Sequence, residues 1–562
     1  MAPGFKGAVT SLKTLFLLWY LHINEAQSSG GCTHERVILT SKTGTITVGN
    51  SGPTYNNFAR CEWLIKGDAR TFIQLDFSRI ETECSFDYVF VYDGDTYNST
   101  KLASVSGDTL PKSLVAKSGR MLVLMFSDRN YKKWGFLANY SITDCPFGCH
   151  GHGVCTNNSC VCDIDYTGES CEHDLCPKNC SAKGLCIKSG DRSLWGCNCS
   201  LGYAGYACDM ALQGEEDKLK WVTLLPSVTE FTDRFDHTAG FLESSECVYV
   251  FGGNAQNTVL DDLLRFCFTE SKWEVIHKIE PWPSARYDHN MVVYNEGLFV
   301  FGGILIDGSH SNELWFFDTV SGNWSLLNFN NSSQPPGLSG HSMTLADDII
   351  YIIGGKKTNG QYSSDVYSIN ASNPQSWSLV KLAGGRAHSR LLHGHSAVYH
   401  PESSSIIIYG GIAVRSVRYT TLSKKMFVFN IAYKFWTEIE YTSNMEPGSA
   451  WVPQERSQHT ALIMGNYMII YGGYVHIHAS EEKCYDEGIY LYHLGCHQFV
   501  NHSLVHQGTS YKSMPKKGRF GHSAVGIHGN IMVIIGGFSG YPHGDVIAYK
   551  FPGVVAPPNV SN

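Results

Sequence analysis

The 562-residue chain predicts a mainly β protein built in several parts, because it is too long for one core. Three observations carry the fold class. Residues 32 to 144 contain the alternating apolar segments "TFIQLDF", "YVFVYDG" and "MLVLMFSD", the period-two pattern of a β-sandwich. Residues 145 to 208 hold twelve of the nineteen cysteines. From about Arg234, six Gly-Gly pairs recur at intervals of 50 to 64 residues, each behind an apolar strand, the period of a four-stranded propeller blade.

The ends and the composition set the compartment. Lys6 and Lys13, the apolar run "TLFLLWYL" and the small residues in "NEAQSS" read as a secretory signal peptide over residues 1–26. No later run approaches the ~20 apolar residues of a spanning helix, so the expected product is secreted. Clustered cysteines agree with disulfides formed in an oxidising compartment. Glycan acceptors are expected at Asn98, Asn139, Asn157, Asn323, Asn330, Asn331, Asn370, Asn501 and Asn559. A balance of 43 Lys+Arg against 51 Asp+Glu argues against a nucleic-acid partner.

Within the sandwich, "ECSFDYVFVYDGD", "FSD" and the Gly135-Phe136 step resemble a CUB domain, taken as residues 32–144. The resemblance implies a first disulfide, Cys32–Cys61, but the second usual partner is missing. Cys84 is then the odd thiol, either buried and inert or paired outside its domain. Many CUB domains hold one calcium ion, and the matching positions here are Glu81 or Glu83, Asp87 and Asp128. A hard cation wants such converging oxygen ligands. In that family the ion orients acidic groups that receive a Lys or Arg from a protein partner.

The middle cysteines form two groups of six, each ending in C-x-C and a Gly-containing turn. Modules this small need cross-links, since they bury little apolar surface. They resemble epidermal growth factor-like (EGF-like) modules, residues 145–171 and 172–208. The resemblance implies Cys145–Cys155, Cys149–Cys160 and Cys162–Cys171, then Cys176–Cys186, Cys180–Cys197 and Cys199–Cys208. Neither module opens with the acidic signature of the calcium-binding type, so both read as rigid spacers.

The glycine pairs, the amphipathic strands behind them and the tryptophan strands at Trp273, Trp324, Trp377 and Trp436 resemble kelch repeats. The sixth unit lacks its fourth strand, and "WVTLL" at Trp221 supplies it from the N-terminal side. The prediction is a six-bladed propeller over residues 218–551 with a tail at 552–562. Its long loops, from second to third strand and from fourth strand to the next blade, share one face. Arg-x-x-His recurs at Arg234/His237, Arg286/His289, Arg456/His459 and Arg519/His522, whereas His341 and His395 lack the arginine. The histidines read as structural. The arginines are placed at the channel mouth, either binding an acidic group or pairing within the rim. Trp282, Trp451, Tyr419 and Tyr474 are the candidate aromatic anchors on the long loops. His476, His478, Glu481, Glu482 and Cys484 include zinc-ligand types, but as one loop they read as solvated. Cys247 and Cys267 fall on adjacent strands and can be bridged. Whether Cys484 and Cys496 pair is left open.

The order of CUB, EGF-like and kelch parts resembles the N-terminal region of the attractin family, whose members are receptor-like glycoproteins of developmental signalling, guidance and adhesion. The resemblance implies a short or truncated form that binds an extracellular or cell-surface protein, with no enzymatic role. No Gly-x-Ser-x-Gly or His-Glu-x-x-His motif occurs, nor the tyrosine, histidine and cysteine set of the copper-oxidase kelch propellers. The alternative is an architectural matrix protein.

Overall fold

The computed structural model describes Gln27–Ser28 and residues 36–48, 54–84, 86–163, 166–188, 195–200, 203–204, 207–211, 220–225, 231–268, 272–329, 333–383, 392–416, 419–439, 452–478, 482–500 and 518–551. The expected signal peptide and C-terminal tail lie outside these residues, as do Cys32, Asn330, Asn331, Asn501, Asn559, Trp451 and Glu481. Among the described residues no helix is long and apolar enough to cross a membrane. The chain divides into two compact units, Met1–Asp163 with Glu169–Glu172, and Ile164–Gly168 with His173–Asn562.

The first unit is built on a sandwich of two five-stranded sheets. One sheet centres on Gly135–Thr143 between Thr43–Thr47 and Phe72–Glu81; the other runs Val37–Leu39, Arg60–Lys66, Arg120–Phe126, Tyr88–Asp93, Thr100–Val105. Alternate residues such as Trp63, Ile65, Val89, Val91, Met121 and Val123 meet in the core, as alternation of side chains across a pleat requires. The first EGF-like module belongs mostly to this unit. Asn158 Nδ2 donates to Arg70 O at 2.5 Å and Asp144 O at 2.9 Å, and Lys117 pairs with Glu169 at 2.7 Å. All six disulfides expected of the two modules are present.

The second unit carries six four-stranded sheets. Their inner strands are Thr238–Leu242, Asn290–Tyr294, Ser342–Ala346, Ser396–His400, Thr460–Met464 and Ser523–Ile527, each packed on the next and the last on the first. The orphan strand does close the sixth blade: Lys220–Leu225 pairs antiparallel with Val546–Lys550, Trp221 opposite Tyr549. Six apolar clusters each draw on two neighbouring blades. The tryptophans belong to these seams: Trp324 of blade two lies 5.3 Å from Phe251 of blade one, and Trp377 of blade three 5.5 Å from Phe301 of blade two. Burial on both faces explains why every second strand reads as a continuous apolar run.

A closed circle of backbone hydrogen bonds lies just before the inner strands. The N–H of Asp288 donates to Asp236 O, Gly340 to Asp288, Gly394 to Gly340, Gln458 to Gly394, Gly521 to Gln458 and Asp236 to Gly521, at 2.7–3.0 Å. All six residues are left-handed, with φ between 52° and 65°. The circle fixes the blade count at six.

Candidate ligand-binding surfaces

In the sandwich the structure decides between the two glutamates. Glu83, Asp87 and Asp128 converge, with one carboxylate oxygen of each within 4.8 Å of the others. Glu81 is elsewhere, bound to Arg79 at 2.6 Å, so it is removed from the expected set. The difference is where the strand stops: Glu81 ends the strand Phe72–Glu81, while Glu83 begins the turn that carries Asp87. Tyr55 Oη donates to Asp87 Oδ2 at 2.5 Å, and Asp128 N–H donates to Asp87 Oδ1 at 2.7 Å. Burial, with Asp128 nearby, pushes the Asp87 carboxyl above its ordinary range. Burial also raises the Tyr55 phenol, reinforced by Asp87, so Tyr55 stays a donor. Three hard oxygen donors held together against their own repulsion fit a divalent cation such as calcium. Among the described residues, no other group of acidic side chains converges in this way.

Cys84 is fully buried and disulfide-bonded, so of its two readings the inert free thiol is the one overturned. Cys61 and Cys484 are also disulfide-bonded, and Cys496 is an exposed free cysteine, so Cys484 and Cys496 are not bridged to one another. The bond removes Cys484 from any zinc-type set with His476. Cys247 and Cys267 are bridged, as directly opposed residues of neighbouring strands.

In the propeller the four arginines do not line an open rim. Arg234, Arg286 and Arg456 have no exposed surface and Arg519 has 1%. Each is clamped by an acid at the head of its blade's third strand: Asp262 at 2.6 Å, then Glu313, Asp486 and Asp545, each at 2.7 Å. Each also donates to the carbonyl of the first paired glycine, at Gly252, Gly302, Gly472 and Gly536. Against the cost of burial, Arg519 holds Asp545 well below the usual carboxylate range. These are structural clamps, and the arginines are withdrawn as ligand contacts. The signal was in the sequence, in the acids of "DDLL", "NELW", "DEGI" and "GDVI".

The histidines explain the paired glycines. A Cβ on Gly302 would lie 2.7 Å from His341 Cε1 of the next blade, and one on Gly303 2.7 Å from Cβ of its own blade's His289. The same relation passes around the ring and closes from Gly536 to His237. Four histidines bond a hydroxyl of the preceding blade, at Thr238, Ser342, Ser396 and Thr460. Burial holds all six imidazoles below the ordinary value, His341 at about 4 and His395 and His522 at about 3.

The long-loop face is capped by short loop sheets, Arg286–Tyr287 with Ile304–Leu305, Leu392–His393 with Ile412–Ser416, and Tyr474–His478 with Glu482–Tyr485. A channel cavity of about 240 Å³ opens among the inner strands. Its mouth carries residues that sequence reasoning missed, in the position just before each histidine. Asp236 accepts from Gln458 Nε2 at 3.0 Å, and Asp288 lies 3.2 Å from His393 Nε2. Burial, with Asp288 beside it, raises the Asp236 carboxyl well above its ordinary range. Trp282 is not an exposed anchor: it is 9% exposed, donates to Asp261 O at 2.7 Å and packs edge-on to Trp324 in a blade seam. Tyr474 is half-buried against Phe520; the side chain of Tyr419 lies outside the described residues. Of the expected glycan acceptors, Asn98, Asn139, Asn157, Asn323 and Asn370 are exposed.

Comparison with known proteins agrees with this architecture. Residues 32–140 match the CUB domain and residues 248–547 the Attractin/LZTR1 beta-propeller. The mouse protein named multiple epidermal growth factor-like domains protein 8 is 36% identical over 93% of this chain and 19% of its own length; the human one is 36% identical over 93% and 18%. Putative protein tag-53 of Caenorhabditis elegans is 25% identical over 88% of this chain and 36% of its own length. The chain thus spans about a fifth of the mammalian relatives it matches. With a closed six-bladed ring and a matching region that covers more than half its length, this chain belongs to the Attractin/LZTR1 beta-propeller family.

Proposed function

We propose that the chain is an extracellular or cell-surface recognition protein whose CUB sandwich binds a protein ligand through one calcium ion. The observation that carries this is the convergence of Glu83, Asp87 and Asp128. Calcium held by these carboxylates would supply charge compensation and fix their orientation; Tyr55 and the Asp128 N–H then hold Asp87 in place to receive a basic side chain from the partner. The long-loop face of the propeller is a second contact surface, with Tyr474 and the acidic channel mouth in place of the buried arginines and Trp282. The EGF-like modules act as spacers, and the exposed acceptors Asn98, Asn139, Asn157, Asn323 and Asn370 carry glycans on the secreted product. A role in cell signalling or guidance is what the attractin-family resemblance implies.

The test is calorimetric titration of calcium, followed by binding of the purified chain to intact cells with calcium and with chelator. One ion per chain, lost in Glu83→Gln and kept in Glu81→Gln, is expected. Saturable binding unaffected by chelation would move recognition to the propeller face.

A further inference from the structure

The sheet Val37–Leu39, Arg60–Lys66, Arg120–Phe126, Tyr88–Asp93, Thr100–Val105 has two faces, and only one is accounted for by the sandwich core. Alternation sends Trp63, Ile65, Val89, Val91, Val123 and Met125 inward. Their neighbours in sequence point outward, and an outward face beside solvent is ordinarily polar. This one is not. Strand pairing aligns Ile38, Leu64, Leu122, Tyr92 and Lys101 as one row across the sheet. The next row is Glu62, Leu124, Phe90 and Ser104, and the third Arg60, Phe126 and Tyr88.

The apolar side chains of these rows form a continuous layer. Leu64, Leu122 and Leu124 are 3%, 0% and 9% exposed although they lie outside the sandwich core, and strand pairing sets them beside the outward side chains of the neighbouring strands. Those neighbours are themselves open: Ile38 is 55% exposed and Phe126 45%, and Tyr88, Phe90 and Tyr92 are half-buried. Tyr88 and Phe90 stack at 5.3 Å, with an interplanar angle of 16°. A contiguous apolar surface on a sheet face, rimmed by charge, marks a docking site.

Charge identifies the occupant. Arg36, Arg60, Lys66 and Lys101 surround the layer. Glu62, the acid within it, is bound by Arg36 at 3.0 Å and by Arg60 at 3.3 Å, and also accepts from Tyr97. Arg60 also lies over the Tyr97 ring at 5.5 Å. A second copy of the same face would bring one basic rim against another, which disfavours self-association. We infer that this outer face docks a protein partner whose contact surface is apolar at its centre and acidic at its edge. The site is independent of the calcium reading and takes the opposite charge.

The experiment places photoreactive benzoylphenylalanine at position 126, and separately at position 38, in the full secreted chain. Each is incubated with intact cells and irradiated, with and without chelator. The expected result is a saturable adduct with a protein, formed in chelator as well as in calcium, and reduced about tenfold by Arg60→Glu on the same chain. Ile38→Glu in the position-126 chain should reduce it comparably, with the unfolding midpoint unchanged because residue 38 is exposed. Adducts only with a second copy of the chain or with lipid, or no adduct at either position, would overturn the assignment. Loss of the adduct in chelator alone would also overturn it, by tracing the contact to the acid cluster.

Discussion

Blades one, two, five and six carry a buried arginine clamped to an acid; blades three and four do not, and the ring closes all the same. In blade three the arginine position is Leu338, fully buried, while the acid survives as Asp365, bonded to Tyr367 Oη at 3.3 Å. In blade four both are gone: Leu392 is buried and Lys425 stands at the acid position, paired with Glu438 at 2.6 Å. What all six blades keep is the glycine pair, the histidine packed on it and the left-handed residue of the backbone circle. The common set makes the ring; the clamp is an addition that an apolar residue can replace. That agrees with the general finding that a buried ion pair is costly to break but cheap to exchange for hydrophobic packing.

The largest expected effect belongs to the common set. The six histidines are neutral in the native state but titrate near ~6.5 when unfolded. Below that pH the unfolded chain binds more protons, so stability falls as pH falls, by about 1.4 kcal/mol per unit for each histidine, until its native value is reached, about 4 for His341 and about 3 for His395 and His522. Asp236, whose carboxyl is raised, has the opposite sign and offsets only part. Urea unfolding of the propeller should therefore show a steep loss between pH 6.5 and 5; a flat profile would mean the imidazoles are solvated.

Next comes the clamp. Arg456→Leu should cost about 3–5 kcal/mol, because Asp486 is left buried with a side chain only 6% exposed. Arg286→Leu should cost less, since Glu313 is 37% exposed and can turn to water. Adding Asp486→Leu to the first variant should restore a large part of the loss and make blade five resemble blade four. Denaturant midpoints at pH 7.5 measure all three; equal losses at the two arginines would break the argument.

Gly302→Ala tests the shared part at a glycine whose facing blade, the third, lacks the arginine. Its φ is +75°, and the new methyl would meet Leu338 O at 2.6 Å, a loss of about 2 kcal/mol or more. The smallest change is Thr460→Ala, which removes the hydroxyl bonded to His522 at 2.8 Å and should cost about 1 kcal/mol. Blades one and three already do without that bond. There Ser523 donates to His237 O and Asn290 to His341 O.

Much of this was legible in the sequence because repetition amplifies it: six glycine pairs and an unmatched strand at Trp221 are enough to count blades. The arginines were misplaced for a reason that repetition hides. Their acids sit two strands further on, at Asp262, Glu313, Asp486 and Asp545, and only pairing across the blade brings them together. Glu81 and Glu83 are two residues apart, so alternation alone could not say which leaves the strand. The states of Cys84 and Cys496 stayed open because a thiol's partner depends on tertiary placement, which no spacing encodes. The channel mouth at Asp236 and Asp288 could have been read from the residue before each histidine.

The circle of six backbone hydrogen bonds has a consequence for how such a protein can change in length. A stack of repeats with two ends can gain or lose a unit at either end and leave every other junction as it was. A circle has no end: each junction is both first and last, and each donor is already committed to the blade behind it. A seventh blade, or a missing one, would require all six bonds to find new angles at once. Strand Lys220–Leu225 therefore sets more than one sheet edge, since by completing blade six it holds shut an array in which no blade can be released alone.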